Sequence, residues 1–81
     1  MAKLLKDLRQ GLADGNAGAT QRAAHTLKGA ARIMAAHQLV KISADLEVLA
    51  RDQQLDAVGS RLAELESAVN QACRRIEAWQ G

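Results

Sequence analysis

Apolar residues along the chain recur in steps of three and four, the spacing that lines one face of an α-helix. Leu4, Leu5, Leu8 and Leu12 form such a stripe and predict a short first helix over about residues 2–13, weakened by Gly11. The run Asp14-Gly15-Asn16-Ala17-Gly18 interrupts the pattern and reads as a turn, with Asn16 a better N-cap candidate than Thr20. A second helix is predicted from about Ala17 to Met34, with Ala23, Leu27, Ala30, Ala31 and Met34 on its buried side. Neither proline nor glycine marks its exit; a change of apolar phase near Ala35 and Ala36 places the break. A third helix over about residues 36–51 buries Leu39, Ile42, Leu46 and Leu49, and Asp52-Gln53-Gln54 makes the next connection. A long fourth helix over about residues 54–79 carries Leu55, Val58, Leu62, Leu65, Val69, Ala72 and Ile76 in a heptad-like seam. Gly59 inside it marks either close approach of another helix or a local weak point. Connections this short favour antiparallel neighbours. The expected architecture is all-α: an antiparallel four-helix bundle with a short first helix, forming a single domain over residues 1–81.

Composition agrees with helices and narrows the function classes. There is no proline, phenylalanine or tyrosine, Trp79 is the only aromatic residue, and the apolar content is mostly alanine and leucine. A formal net charge of +2, with charges alternating in sign, is a weak basis for nucleic-acid binding. Cys73 is the single cysteine, so an internal disulfide is impossible; it reads as a small buried hydrophobe. No metal-ligand spacing is present, and no cofactor or metal is expected on this chain. No apolar stretch reaches the ~20 residues that span a bilayer, and the start of the chain lacks a secretory apolar run. These features predict a soluble cytoplasmic domain, free-standing or as the cytoplasmic part of a membrane-bound sensor protein, without direct membrane contact.

The candidate chemistry lies on the polar side of the second helix. At about 100° per residue, Gln21, Arg22, Lys28, Gly29 and Arg32 all fall within roughly 60° of His25. His25 is thereby placed near the middle of the solvent face. A neutral imidazole has a ring nitrogen free to attack phosphorus, and an exposed one can enter another protein's active site. Gly29, one turn on, leaves open space beside the ring at a cost of about 1 kcal/mol relative to alanine. Lys28 is positioned to neutralise a phosphoryl group, and Arg22 and Arg32 to act more distantly or to pair with an acidic partner. No positioned carboxylate is evident near His25 in the sequence. That pattern suits a nucleophile whose electrophile is activated elsewhere.

The segment Ala24-His25-Thr26-Leu27-Lys28-Gly29-Ala30-Ala31 resembles the signature of histidine-containing phosphotransfer (HPt) domains. The resemblance implies that His25 is the phospho-accepting histidine, that Lys28 assists the phosphoryl group and that Gly29 leaves room for it. Gln21, Arg22 and Arg32 are then the expected partner-binding residues. Asn16, Leu39 and the Leu46-Glu47 pair resemble flanking features of the family. Ala35 departs from it, because a glycine is common there at the turn into the next helix. The implied partners are a response-regulator receiver domain, which supplies its own Mg²⁺, and a sensor kinase. The implied function is that of a monomeric phosphorelay intermediate, a phosphoryl carrier and not an enzyme. No glycine-rich nucleotide loop of a kinase core is present. The alternative is a non-catalytic scaffold or protein-interaction bundle of the same fold.

The remaining residues read as structural. His37, near the start of the third helix, is expected at the surface or in a cap. Trp79 is expected to cover the bundle end, and Glu47 to be a solvated or salt-bridging surface group.

Overall fold

The computed structural model describes the backbone of residues 2–80 and the side chains of residues 3–74. It is all-helical, with α1 (Ala2–Ala13), α2 (Ala17–Ile33), α3 (His37–Arg51), α4 (Leu55–Ser60) and α5 (Leu62–Gln80). Ile76 and Trp79 have side chains outside the described residues. Helix α2 is central: it packs against α1 on one side and α3 on the other, while α4 and α5 pack on α3. The core is built on Leu8, Leu27, Leu39, Leu46, Val58 and Leu65, all fully buried. Leu4, Leu5, Leu12, Leu49, Leu55 and Leu62 close around it half-buried. Cys73, read from the sequence as a small buried hydrophobe, packs half-buried against this core. Among the described residues, no helix is long and apolar enough to cross a membrane.

Among the described residues five helices stand where the sequence pattern predicts four, because the long last helix is interrupted at Arg61. A Cβ at Gly59 would meet nothing within 4 Å, so this glycine marks a weak point and no close helix approach. Ser60 adds to the weakness, since its hydroxyl donates to the Ala57 carbonyl at 2.8 Å in competition with the helix ladder. The turn tightens there, with the Arg61 N–H donating to the Val58 carbonyl three residues back. The Arg61 guanidinium then donates to Asp45 on α3 at 3.1 Å and to Glu64 on α5 at 3.3 Å, which ties the interruption to both helices. The apolar seam continues through it, so core burial is kept.

The turns set the registry of α2. Asn16 caps α2, its side-chain oxygen accepting from the Ala19 N–H at 3.0 Å. The ends of α1, α2 and α3 share one motif, in which a residue at positive φ follows the last helical turn: Gly15 at 64°, Ala35 at 55° and Gln53 at 62°. In each, the next N–H reaches back five residues: Asn16 to Gly11, Ala36 to Ala31 and Gln54 to Leu49. Ala35 therefore makes the left-handed turn despite its side chain, at a conformational cost of roughly 1–2 kcal/mol. Gly11 has a second role besides weakening α1. A Cβ there would lie 2.7 Å from the Thr20 hydroxyl and 2.9 Å from the Thr20 backbone nitrogen, so glycine lets α1 and α2 approach closely.

Candidate functional site

Burying Ala23, Ala24, Leu27 and Ala31 on α2 turns the opposite side of the helix outward. The His25 side chain is 69% exposed on that side. Gly29 sits one turn further along, and a Cβ built on it would meet nothing within 4 Å. The helix thus holds an imidazole in solvent with an open position beside it.

Helix α3 adds a residue that the sequence reading did not place here. Glu47 follows the fully buried Leu46, and its carboxylate turns toward α2. One oxygen, Oε2, lies 2.5 Å from His25 Nδ1, and the other, Oε1, accepts from Lys28 Nζ at 2.6 Å. The expectation that no carboxylate attends His25 is thus overturned. Of the two roles expected for Glu47, solvated or salt-bridging, the structure shows the second: its side chain is 18% exposed and pairs with Lys28. The reason is tertiary: Glu47 lies 22 positions from His25 and 19 from Lys28 along the chain. The pattern that could have found it is a charged residue directly after a buried stripe position, on a helix predicted to neighbour α2.

The electrostatics of the trio follow from these contacts. The Lys28 ammonium, and after it the imidazole, holds the Glu47 carboxyl below the usual carboxylate range, against the opposing effect of burial. An ionised carboxylate has no hydrogen to donate, so its contact to the neutral ring requires the proton on Nδ1. The lone pair is then on Nε2. Lys28 is 15% exposed, and its ammonium is engaged with Glu47.

Gln21, Arg22 and Arg32 divide on the surface. Gln21 and Arg22 join Gly18, His25, Thr26, Glu47, Val48 and Arg51 around an open groove of about 730 Å³ between α2 and α3. Arg32 is exposed further along α2 and outside that lining. Val48 and Arg51 are further additions from α3. His37 begins α3, exposed, and the helix start has no side-chain cap. Among the described residues, no group of three or more His, Cys, Asp and Glu is placed to hold a metal ion.

A small helical fold that carries one imidazole on an outer helix face, braced from the next helix, defines a histidine-presenting domain. The family model described as Hpt domain matches residues 1–79, and the chain belongs to that family. Hpt domains are phosphotransfer carriers of two-component signalling, and they interact with response-regulator receiver domains and kinases. No curated protein and no solved structure matches the chain.

Proposed function

We propose that this domain is a phosphorelay intermediate that accepts a phosphoryl group on His25 Nε2 and exchanges it with the aspartate of a receiver domain. The observation that carries the reading is the pairing of an exposed ring with a carboxylate at 2.5 Å from its inner nitrogen. In the forward step the Nε2 lone pair attacks the phosphorus of the phosphoaspartate. The N–P bond forms, the P–O bond to the aspartate breaks, and the carboxylate leaves with the electron pair. The ring keeps its Nδ1 proton and gains positive charge, which Glu47 stabilises. Reversal returns the phosphoryl group to an aspartate. Catalysis of such transfers is mostly positioning and electrostatics.

In this reading Glu47 is a positioning residue, and Lys28 acts through it by keeping it ionised and fixed. Gly29 supplies clearance for the incoming phosphoryl group and the partner's loops. In this reading Mg²⁺ arrives with the receiver. Gln21, Arg22 and Arg32 are assigned to partner contact, and the carrier works as a monomer in the cytoplasm.

The test is transfer from receiver domains phosphorylated with acetyl phosphate. The expected result is an acid-labile, base-stable label on the protein that His25→Gln abolishes. A panel of receivers that leaves the wild-type protein unlabelled would favour the scaffold alternative.

A further inference from the structure

Two large apolar side chains are left exposed among the described residues: Ile33 at 88% and Val48 at 44%. A single exposed apolar residue means little. Both of these, however, flank His25. Val48 follows Glu47 and lines the same α2–α3 groove as His25. Ile33 lies on α2, about 12 Å along the helix axis from His25 and beyond the open position at Gly29. A standard protein interface covers about 800 Å² per partner, a disc of roughly 16 Å radius. One footprint centred on His25 therefore takes in both residues.

Charge around this patch is one-sided. Glu47, its central carboxylate, is taken up by Lys28 and the imidazole. Arg22 and Arg32 have no carboxylate partner among the described residues, and Arg51 has only its neighbour Asp52 at 3.5 Å. The Arg22 guanidinium stands 3.7 Å from where a Cβ on Gly18 would lie, and both residues line the groove.

Resting on the phosphotransfer reading, we infer that the receiver docks across this patch, with Val48 and Ile33 as its two apolar anchors on opposite sides of His25. The occupant is a receiver face that is apolar beside its phospho-accepting aspartate and acidic at its rim, facing Arg22, Arg51 and Arg32. The arginines steer the encounter and the apolar residues hold the complex. Partner choice thus depends on α3 as well as on the histidine helix.

The receiver that labels the wild-type protein most strongly, phosphorylated with acetyl phosphate, is titrated against Ile33→Ser, Val48→Ser, the double charge reversal Arg22→Glu/Arg51→Glu, and Arg74→Glu on α5 as a control. Each anchor variant is expected to lower kcat/KM about tenfold, through KM and with kcat kept. The charge reversal is expected to do the same and to invert the effect of added salt. The Arg74→Glu control should match wild type, and all variants should keep the wild-type helical circular dichroism. Unchanged KM in both serine variants overturns the anchors while leaving phosphotransfer standing. Unchanged KM and salt response in the charge reversal overturns the acidic rim. No label on His25 from any receiver overturns the phosphotransfer reading and this inference with it.

Discussion

Glu47→Gln is the substitution that separates a positioned imidazole from one that is merely exposed. The change keeps the shape of the side chain and removes its charge. The wild-type carboxylate accepts from both sides, from His25 Nδ1 at 2.5 Å and from Lys28 Nζ at 2.6 Å. A carboxamide has one oxygen and one NH₂ group, so it cannot accept from both. Facing the ammonium with the NH₂ would set two donors against each other, so the oxygen takes Lys28 and the NH₂ faces the imidazole. The amide then donates to Nδ1, which moves the ring proton to Nε2 and removes the outward lone pair. A hydrogen bond to a charged group is worth about 1.5–3 kcal/mol. Losing that bias against the wrong tautomer corresponds to a rate loss of about 10- to 100-fold. The loss of a partner for positive charge on the ring acts in the same direction.

The assay is rapid-quench transfer from a phosphorylated receiver, paired with nitrogen-15 spectra of the His25 ring in which His37 serves as the internal reference. The expected outcome is a slow variant whose neutral ring carries its proton on Nε2. Lys28→Met measured on the Glu47→Gln background completes a double-mutant cycle. If Lys28 acts through Glu47, its loss is costly in the wild-type protein and nearly neutral in the variant. A Glu47→Gln protein that transfers at the wild-type rate with the original tautomer would refute the reasoning, and additive losses would return Lys28 to direct contact with the phosphoryl group.

Gly29→Leu is expected to leave the melting temperature unchanged or slightly raised, because a Cβ there meets nothing within 4 Å, yet to impair labelling by a receiver; a melting scan beside the transfer assay checks both halves. Gly11→Ala and Gly59→Ala should shift stability in opposite directions. The first pushes a methyl into the Thr20 backbone and loses about 1 kcal/mol net, whereas the second enters open space and gains about 0.5–1 kcal/mol, a span of several degrees in melting temperature for a domain of this size. Stability should also depend on Glu47 in acid. Its carboxyl is held below the unfolded value, so its contribution is complete above the unfolded pKa and is lost as the pH falls through the lower folded one. The gap in melting temperature between wild type and Glu47→Gln should therefore close as the pH is lowered below about 4, and a gap that persists at pH 2 would count against the ion pair.

The fold was legible wherever one helix carries its own signal. The leucine stripes, the Asn16 cap and the outward His25 face all depend on spacing within a single segment, and the structure repeats them within a residue or two. The interruption at Arg61 was not legible, because Gly59 and Ser60 lower helix propensity without saying whether the ladder breaks. Ala35 makes the complementary point: Ala36 bonds back to Ala31 and the chain holds a positive φ, so the turn is made by the packing of α2 and α3 and not by the residue type.

The site divides along the same line. His25 and Gly29 are four residues apart on one helix, and helical geometry alone puts the open position beside the ring. Glu47 depends on the register between two helices, a quantity that no single segment encodes. Once the connection at Met34–Ala36 sets that register, Leu46 enters the core and Glu47 is delivered to the α2 surface. It arrives between an amine on the same face and the inner nitrogen of the ring. The exposed histidine alone has two tautomers and no preferred orientation. Only the second helix makes one of its nitrogens the outward nucleophile, which is why substitution at Glu47 tests the site more sharply than substitution at His25.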